Sequence, residues 1–301
     1  MTERPRLTPA MADVRRAIRE NLSDLTPDAV VLVALSGGPD SLALAAGLAF
    51  EAPRAGLLAG AVIVDHGLQE GSDVVAENAA AQARELGLDP VIIRRVKVEG
   101  SSGPEADARD ARYAALEEVA TELGAVAVLL GHTLDDQAET VLLGLTRGSG
   151  PTSMAGMSDI NGIYRRPLLG IRRAQTVAAC EDQGLTAWND PHNQDSRYTR
   201  VRIRNEVMPL LESQLGPGVA EALARTAEQL REDADYLEEV ALAEYHSMVT
   251  LAATSLKLPV GELTELPRAI RLRVLKHAME VLGSQPQRVH VLMVNDLIDD
   301  W

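Results

Sequence analysis

Apolar positions in the first half of the chain fall into short unbroken runs separated by stretches of helical period. Val30–Leu35 is a continuous apolar run, the pattern of a strand covered on both faces. It leads into Ser36-Gly37-Gly38-Pro39-Asp40-Ser41, after which Leu42–Phe50 reads as a helix. Leu57–Val64 predicts a second buried strand, followed by an Ala-rich helix near Asp73–Leu86 that Gly87 ends. Val91–Val98 predicts a third strand, Pro104 opens a helix to about Leu123, and Ala125–Leu130 predicts a fourth strand. A further helix, Asp135–Leu145, ends before Arg147-Gly148-Ser149-Gly150. This alternation predicts an α/β fold with a mostly parallel sheet and helices on both faces. Such sheets bind ligands at the carboxyl ends of their strands.

Past Gly150 the pattern turns to loops and short helices, with a break at Gly216-Pro217-Gly218. Val219–Met248 predicts a long helix with an acidic face, Leu223, Leu230, Leu237 and Val240 facing inward. Leu266–Leu282 and Arg288–Asp300 predict two more helices. The expected division is a catalytic α/β domain over 1–210 and a small all-helical unit over 211–301. No apolar run approaches the ~18 residues that span a bilayer, and the polar, Arg-bearing start is no signal peptide. The expectation is a cytoplasmic protein without a membrane partner. The chain stops on Asp299-Asp300-Trp301 with no helix stop signal, which reads as a boundary or a short natural form.

Charge changes the picture. The 301 residues carry 29 Lys+Arg against 44 Asp+Glu, a net charge of −15, which by itself weighs against a polyanionic partner. The distribution is uneven: residues 1–145 hold 12 basic and 23 acidic groups, 146–210 hold 9 and 6, and 211–301 hold 8 and 15. Only the middle is basic. Cys180 is the single cysteine, which excludes an internal disulfide, a multi-Cys zinc site and a Cys-ligated iron–sulfur cluster.

The string Ser36-Gly37-Gly38-Pro39-Asp40-Ser41 carries the first chemistry. Two glycines let the backbone turn tightly and approach an anion, and the N–H groups at the helix start can hold phosphate oxygens. Ser36 and Ser41 add hydroxyls. The Lys of an ordinary P-loop is missing. Asp40 would repel phosphate unless a cation such as Mg²⁺ lies between them. After the second strand, Asp65-His66-Gly67 either lines the same site or is a simple turn capped by Asp65. Arg109 and Arg112 share one helix face, as an exposed salt-bridged pair or with Arg112 meeting an anion. Gly131-His132-Thr133-Leu134-Asp135-Asp136-Gln137-Ala138-Glu139-Thr140 leaves the fourth strand with His132, Asp136 and Glu139 on one side of a helix start. That set suits a metal, a cationic substrate or a general base, and capping by Asp135 or Asp136 is the plain alternative. Arg197-Tyr198-Thr199-Arg200-Val201-Arg202-Ile203-Arg204 places four Args in eight residues, a candidate phosphate-and-base surface.

The Ser36–Ser41 string resembles the signature of the PP-loop ATP pyrophosphatases, whose fold is adenine nucleotide alpha hydrolase-like. The His132–Thr140 string is similar to that of the tRNA(Ile)-lysidine synthases. Leu145–Gly150, Arg165-Arg166-Pro167-Leu168-Leu169 and Asp190-Pro191-His192-Asn193 follow that family's order. The resemblance is close over Ala29–Pro209 and loose over Gly216–Trp301. It departs at Arg200-Val201, where the family has Arg-Asn, and at Asp190–Asn193, where the family's serine is absent. The resemblance implies an enzyme that adenylates the C2 oxygen of the wobble cytidine of a tRNA(Ile) with a CAU anticodon. The ε-amino group of L-lysine then displaces AMP. By that resemblance Ser36, Gly37, Gly38, Pro39, Asp40, Ser41, Asp65 and His66 hold ATP, with Asp40 toward Mg²⁺. Asp136 and Glu139 bind lysine, and His132 and Arg112 stabilise charge. Arg147, Arg165, Arg166, Arg197, Arg200, Arg202 and Arg204 face the tRNA. A homodimer is left open. The rival readings are a tRNA thiolase on the same fold, an amidotransferase-type synthetase, and a non-catalytic ATP- or RNA-binding module.

Overall fold

The computed structural model describes residues 8–67, 69, 71–98, 100, 103–148, 151–190, 195–252 and 255–299. The Pro191-His192-Asn193 part of one motif, Ser149-Gly150 and the last two residues lie outside them. The chain packs into two compact units, residues 1–148 with 156–225 and residues 149–155 with 226–301. The division falls inside the long helix, not at 210/211.

In the first unit, α1 (Pro9–Asn21) precedes β1 (Val30–Ala34), α2 (Pro39–Glu51), β2 (Leu58–Asp65), α3 (Ser72–Glu85) and β3 (Val91–Arg95). Then come α4 (Pro104–Leu123), β4 (Ala125–Leu129) and α5 (Leu134–Arg147). After the short α6 (Pro151–Met154) the chain adds β5 (Ile160–Asn161), β6 (Tyr164–Arg165) and α7 (Arg173–Asp182). The sheet order is β3-β2-β1-β4-β6-β5, parallel except for the β5–β6 pair. Chain order reverses between β1 and β4, the topological switch point where such sheets open a crevice.

Alternation along β1 explains the layering. Val31 and Val33 enter the core under α1, α2, α3 and α7, while Leu32 joins Val62, Val128 and the α4 residues Leu116 and Val119 on the other face. Helix α1 falls in the opening stretch, for which the sequence pattern carried no prediction. It buries Met11, Val14 and Ile18 at helical spacing beneath a Thr8 cap. The third strand stops at Arg95, three residues before its predicted end.

The basic stretch folds as α8 (Thr199–Arg202), a π-helical turn over Ile203–Val207, and α9 (Met208–Leu215). Helix α10 (Val219–Met248) matches its predicted bounds. Its buried positions are Ala220, Ala227, Ala241, Tyr245 and Met248, with Leu237 and Val240 packed beside the second core. The expected all-helical C-terminal unit needs correction. It includes an antiparallel hairpin, β7 (Thr250–Ala252) and β8 (Ser255–Lys257), before α11 (Val260–Glu265), α12 (Arg268–Val281) and α13 (Arg288–Asp299). The two strands are only three residues each, too short to print an alternating signal on the sequence.

Candidate active site

The loop after β1 is held by its own atoms. Gly37 sits at φ +83°, a left-handed conformation that favours glycine, and its carbonyl accepts a hydrogen bond from Trp188 N–H at 2.9 Å. Ser41 Oγ donates to Gly38 O at 2.9 Å and lies 3.1 Å from Ser36 Oγ. Gly38 caps α2, and Pro39 follows at a position that needs no N–H partner. Gly131, just past β4, packs on this helix start. A Cβ there would lie 3.1 Å from Ser41 N and 3.2 Å from Asp40 C, so any larger residue would push the end of β4 and the start of α2 apart.

Above that junction opens a cavity of about 760 Å³. Ser36, Gly38, Pro39, Asp40, Ser41, Asp65, His66, Arg112, His132, Asp136 and Arg204 all line it, bringing eleven of the sequence-predicted residues together. Asp65 also serves its turn, accepting from Gly67 N–H at 2.9 Å. Glu139 lies just beneath, 1% exposed, and joins through ion pairs.

Arg173 organises the acids. Its Nε donates to Asp40 Oδ2 at 3.2 Å, its Nη2 donates to Asp136 Oδ1 at 2.7 Å, and its Nη1 lies 3.5 Å from Glu139 Oε1. Arg204, on the π turn, donates to Glu139 Oε1 at 2.7 Å and to Asp136 Oδ1 at 3.2 Å. Thr133 N–H and hydroxyl both donate to Asp136 Oδ2, so this carboxylate caps α5 as well. Asp135 faces elsewhere, accepting from Arg173 N–H at 2.7 Å at the start of α7.

These surroundings push neighbouring groups in different directions. Burial raises the Asp40 carboxyl above its ordinary range, against the pull of Arg173 and a hydrogen bond from Thr176. Burial acts on Asp136 too, but Arg173, the Thr133 N–H and Arg204 outweigh it and hold that carboxyl low. His132 is pushed down to about 3, by burial first and then by Arg112 and Arg166, against Asp136. Burial and Arg112 lower His66 as well. Both imidazoles are neutral at pH 7, and His66 Nδ1, His132 Nδ1 and Arg112 Nε are buried without a protein partner.

The arginines expected to face tRNA divide. Arg165 is 7% exposed and bidentate to Asp24 at 2.6 and 2.8 Å, so it ties β6 to the end of α1. Arg166 is buried and donates to Ser158 O. Arg204 and Arg200 turn inward, the latter to Thr140 Oγ1 at 2.8 Å. Arg147 is exposed at the end of α5, and Arg197 is exposed beside Asp195. Arg202 folds back on Ser196 O and Arg197 O. Arg173, Thr176 and Trp188 are functional candidates that the motifs did not single out. The available signal was the Arg172-Arg173 pair in the basic segment 146–210.

Strand order, the glycine loop after β1 and the cavity at the β1–β4 junction define a PP-loop nucleotide-binding protein. A family model described as a PP-loop domain matches residues 11–211. The fold is similar to that of the solved U34-tRNA thiolase NcsA from Methanococcus maripaludis with its 4Fe-4S cluster. That likeness has a TM-score of 0.62 at 21% identity, over 74% of this chain and 80% of that one. The chain is 56% identical to the tRNA(Ile)-lysidine synthase of Leifsonia xyli subsp. xyli, over 92% of this chain and 84% of the relative. It is 51% identical to that of Thermobifida fusca, over 97% and 90%. The chain belongs to the tRNA(Ile)-lysidine synthase family.

Proposed function

We propose that this chain is an ATP-dependent ligase joining L-lysine to C2 of the wobble cytidine of a tRNA(Ile) with a CAU anticodon. One observation carries the reading. A single guanidinium, that of Arg173, bridges the nucleotide loop at Asp40 and the acid pair at Asp136 and Glu139. A triphosphate and a cationic amine would therefore meet in one cavity.

In the first step the cytidine C2 oxygen attacks the α-phosphorus of ATP, and pyrophosphate leaves. Gly38 N–H, the Ser36 hydroxyl and the start of α2 provide donors for that leaving anion. Arg112 and the neutral His66 and His132 line the cavity and would meet the base and the adenylate. In the second step the ε-ammonium passes a proton to the Asp136–Glu139 pair, the free amine attacks C2, and AMP departs with the oxygen. Asp136 and Glu139 bind the incoming ammonium. Both acids are already paired with arginines, so lysine competes with Arg204 and Arg200 for them.

Mg²⁺ fits this loop in the manner usual for nucleotide sites, with one carboxylate and several phosphate oxygens. Among the described residues no group of three or more His, Cys, Asp or Glu could hold a metal without the nucleotide. Asp40 is the carboxylate of the loop itself, and a cation displacing Arg173 beside it would likewise oppose the upward push of burial. When bound, Mg²⁺ would neutralise charge on the triphosphate.

The thiolase reading is disfavoured by Cys180. That thiol is 2% exposed in the core, outside the cavity, and burial pushes it up to about 11. The test is pyrophosphate and AMP release with ATP, lysine and an anticodon stem–loop. Asp136→Ala should lower kcat/KM for lysine at least about tenfold, the loss of a charge-assisted contact. Unchanged lysine-dependent AMP release would sink the lysine-site assignment.

A further inference from the structure

Residues 183–190 form a strap that runs from the end of α7 across α3 to the mouth of the cavity. Leu185 N–H donates to Cys180 O at 3.1 Å, fastening its start. Its middle is gripped on both polar groups of one residue. Thr186 N–H donates to Gln82 Oε1 at 2.8 Å, and Gln82 Nε2 donates to Thr186 O at 3.1 Å. The Gln82 amide thus does what a neighbouring strand would do. Two residues on, Trp188 N–H donates to Gly37 O, and Gln69 Nε2 then donates to Asp190 Oδ1 at 3.2 Å.

A second cavity of about 720 Å³ lies along the strap, lined by Gly37, Gln82, Thr186 and Trp188 among others. Leu185 and Ala187 of the strap pack against the core, and on the side of this open space its position depends on the hydrogen bonds. The consequence reaches the nucleotide loop through one peptide. A trans peptide points its C=O and N–H in opposite directions. With Gly37 O turned to Trp188, the Gly38 N–H of the same peptide is turned the other way, toward Ser36 Oγ at 3.4 Å. Both residues of this peptide are glycines, so no side chain resists its rotation.

We propose that Gln82, outside the active-site cavity, is a positioning residue for ATP. It holds the strap, and the strap's Trp188 N–H sets the Gly37–Gly38 peptide with its donor facing the triphosphate. This rests on the reading of Ser36–Ser41 as the ATP loop. Presetting a donor reduces the ordering cost of binding, so the effect falls on nucleotide and not on lysine.

The test uses the full chain with Trp301→Phe, which leaves Trp188 as the single tryptophan. Gln82→Ala should weaken ATP binding and raise the KM for ATP roughly three- to tenfold, the fold-change of one or two neutral hydrogen bonds. The lysine KM and the kcat at saturating ATP should stay within about twofold of the parent on the same argument. Acrylamide quenching of Trp188 should rise in the free variant and return toward the parent value with saturating ATP. Gln82→Glu keeps an acceptor for Thr186 N–H and should fall between parent and Gln82→Ala. Unchanged ATP affinity overturns the proposal. So does an equal loss for ATP and lysine, which indicates a general structural role. A parent chain that binds ATP but forms no lysidine overturns the proposed reaction alone, and the ATP titration and quenching still decide the strap.

Discussion

His132 and Asp136 stand four residues apart in sequence, and both respond to burial, yet at neutral pH one is neutral and the other charged. The difference is the company each keeps. Asp136 receives the Thr133 donors and two guanidiniums, while His132 faces Arg112 and Arg166 with an unpartnered Nδ1. The sign of the stability effect follows for His132. Its folded pKa of about 3 lies below the unfolded value of 6.5, so between these the unfolded chain binds the extra proton. Its contribution is complete above about pH 6.5 and is lost as pH falls toward 3. Urea denaturation across pH 7 to 4 should show a shallower decline for His132→Gln than for the parent. The depressed Asp136 carboxyl adds its own loss only further into acid, below about pH 4. At this scale the sequence identified the residues. It could not state their protonation, which depends on neighbours from α4, β6, α7 and the π turn.

Among the elements, the basic run at 197–204 carries the clearest lesson. Read as a string, four arginines promise one cationic surface. Folded as a short helix and a π turn, they point in different directions, with Arg200 and Arg204 inward and Arg197 exposed. A helix places successive residues about 100° apart, and a π turn shifts that phase, so composition alone cannot assign a face. Arg165 teaches the same point from a strand, since its pairing partner Asp24 lies 141 residues away. Arg165→Met should cost about 1–3 kcal/mol in urea unfolding through the lost charge-assisted bonds. It should leave tRNA affinity within about twofold, since this buried guanidinium is already held by Asp24. A tRNA defect without a stability loss would restore its assignment to the tRNA surface.

For the whole molecule, the net charge of −15 is less informative than its distribution. The basic middle of the chain does not form one outward patch, because the acids of the cavity hold part of it. The exposed Arg147 and Arg197, together with Arg202, are the remaining candidates for tRNA phosphate. Replacing Arg197 and Arg202 by Ala together should reduce the slope of log K against log salt for tRNA binding by roughly 1–2, one counterion per lost contact. Arg204→Ala should instead change the lysine-dependent step and leave that slope within about 0.5 of the parent. The reverse pattern would place the tRNA contact on the inward side of the π turn. Among the described residues no helix is long and apolar enough to cross a membrane, in keeping with a chain whose apolar runs are short strands.

The sequence by itself determined the four strands β1–β4, most of the helices, the strand-to-helix loop at Ser36–Ser41 and the family. Each of these is written in contiguous residues, as an unbroken apolar run, a glycine pair or a helical period. Tertiary structure alone decided that Arg173 spans Asp40, Asp136 and Glu139, that Arg165 and Arg204 turn inward, and that a strap from beyond α7 steadies Gly37. Those features join residues scores of positions apart. No local pattern of hydrophobicity or charge records which distant side chain a carboxylate or a carbonyl will meet once the sheet has brought its strand ends together.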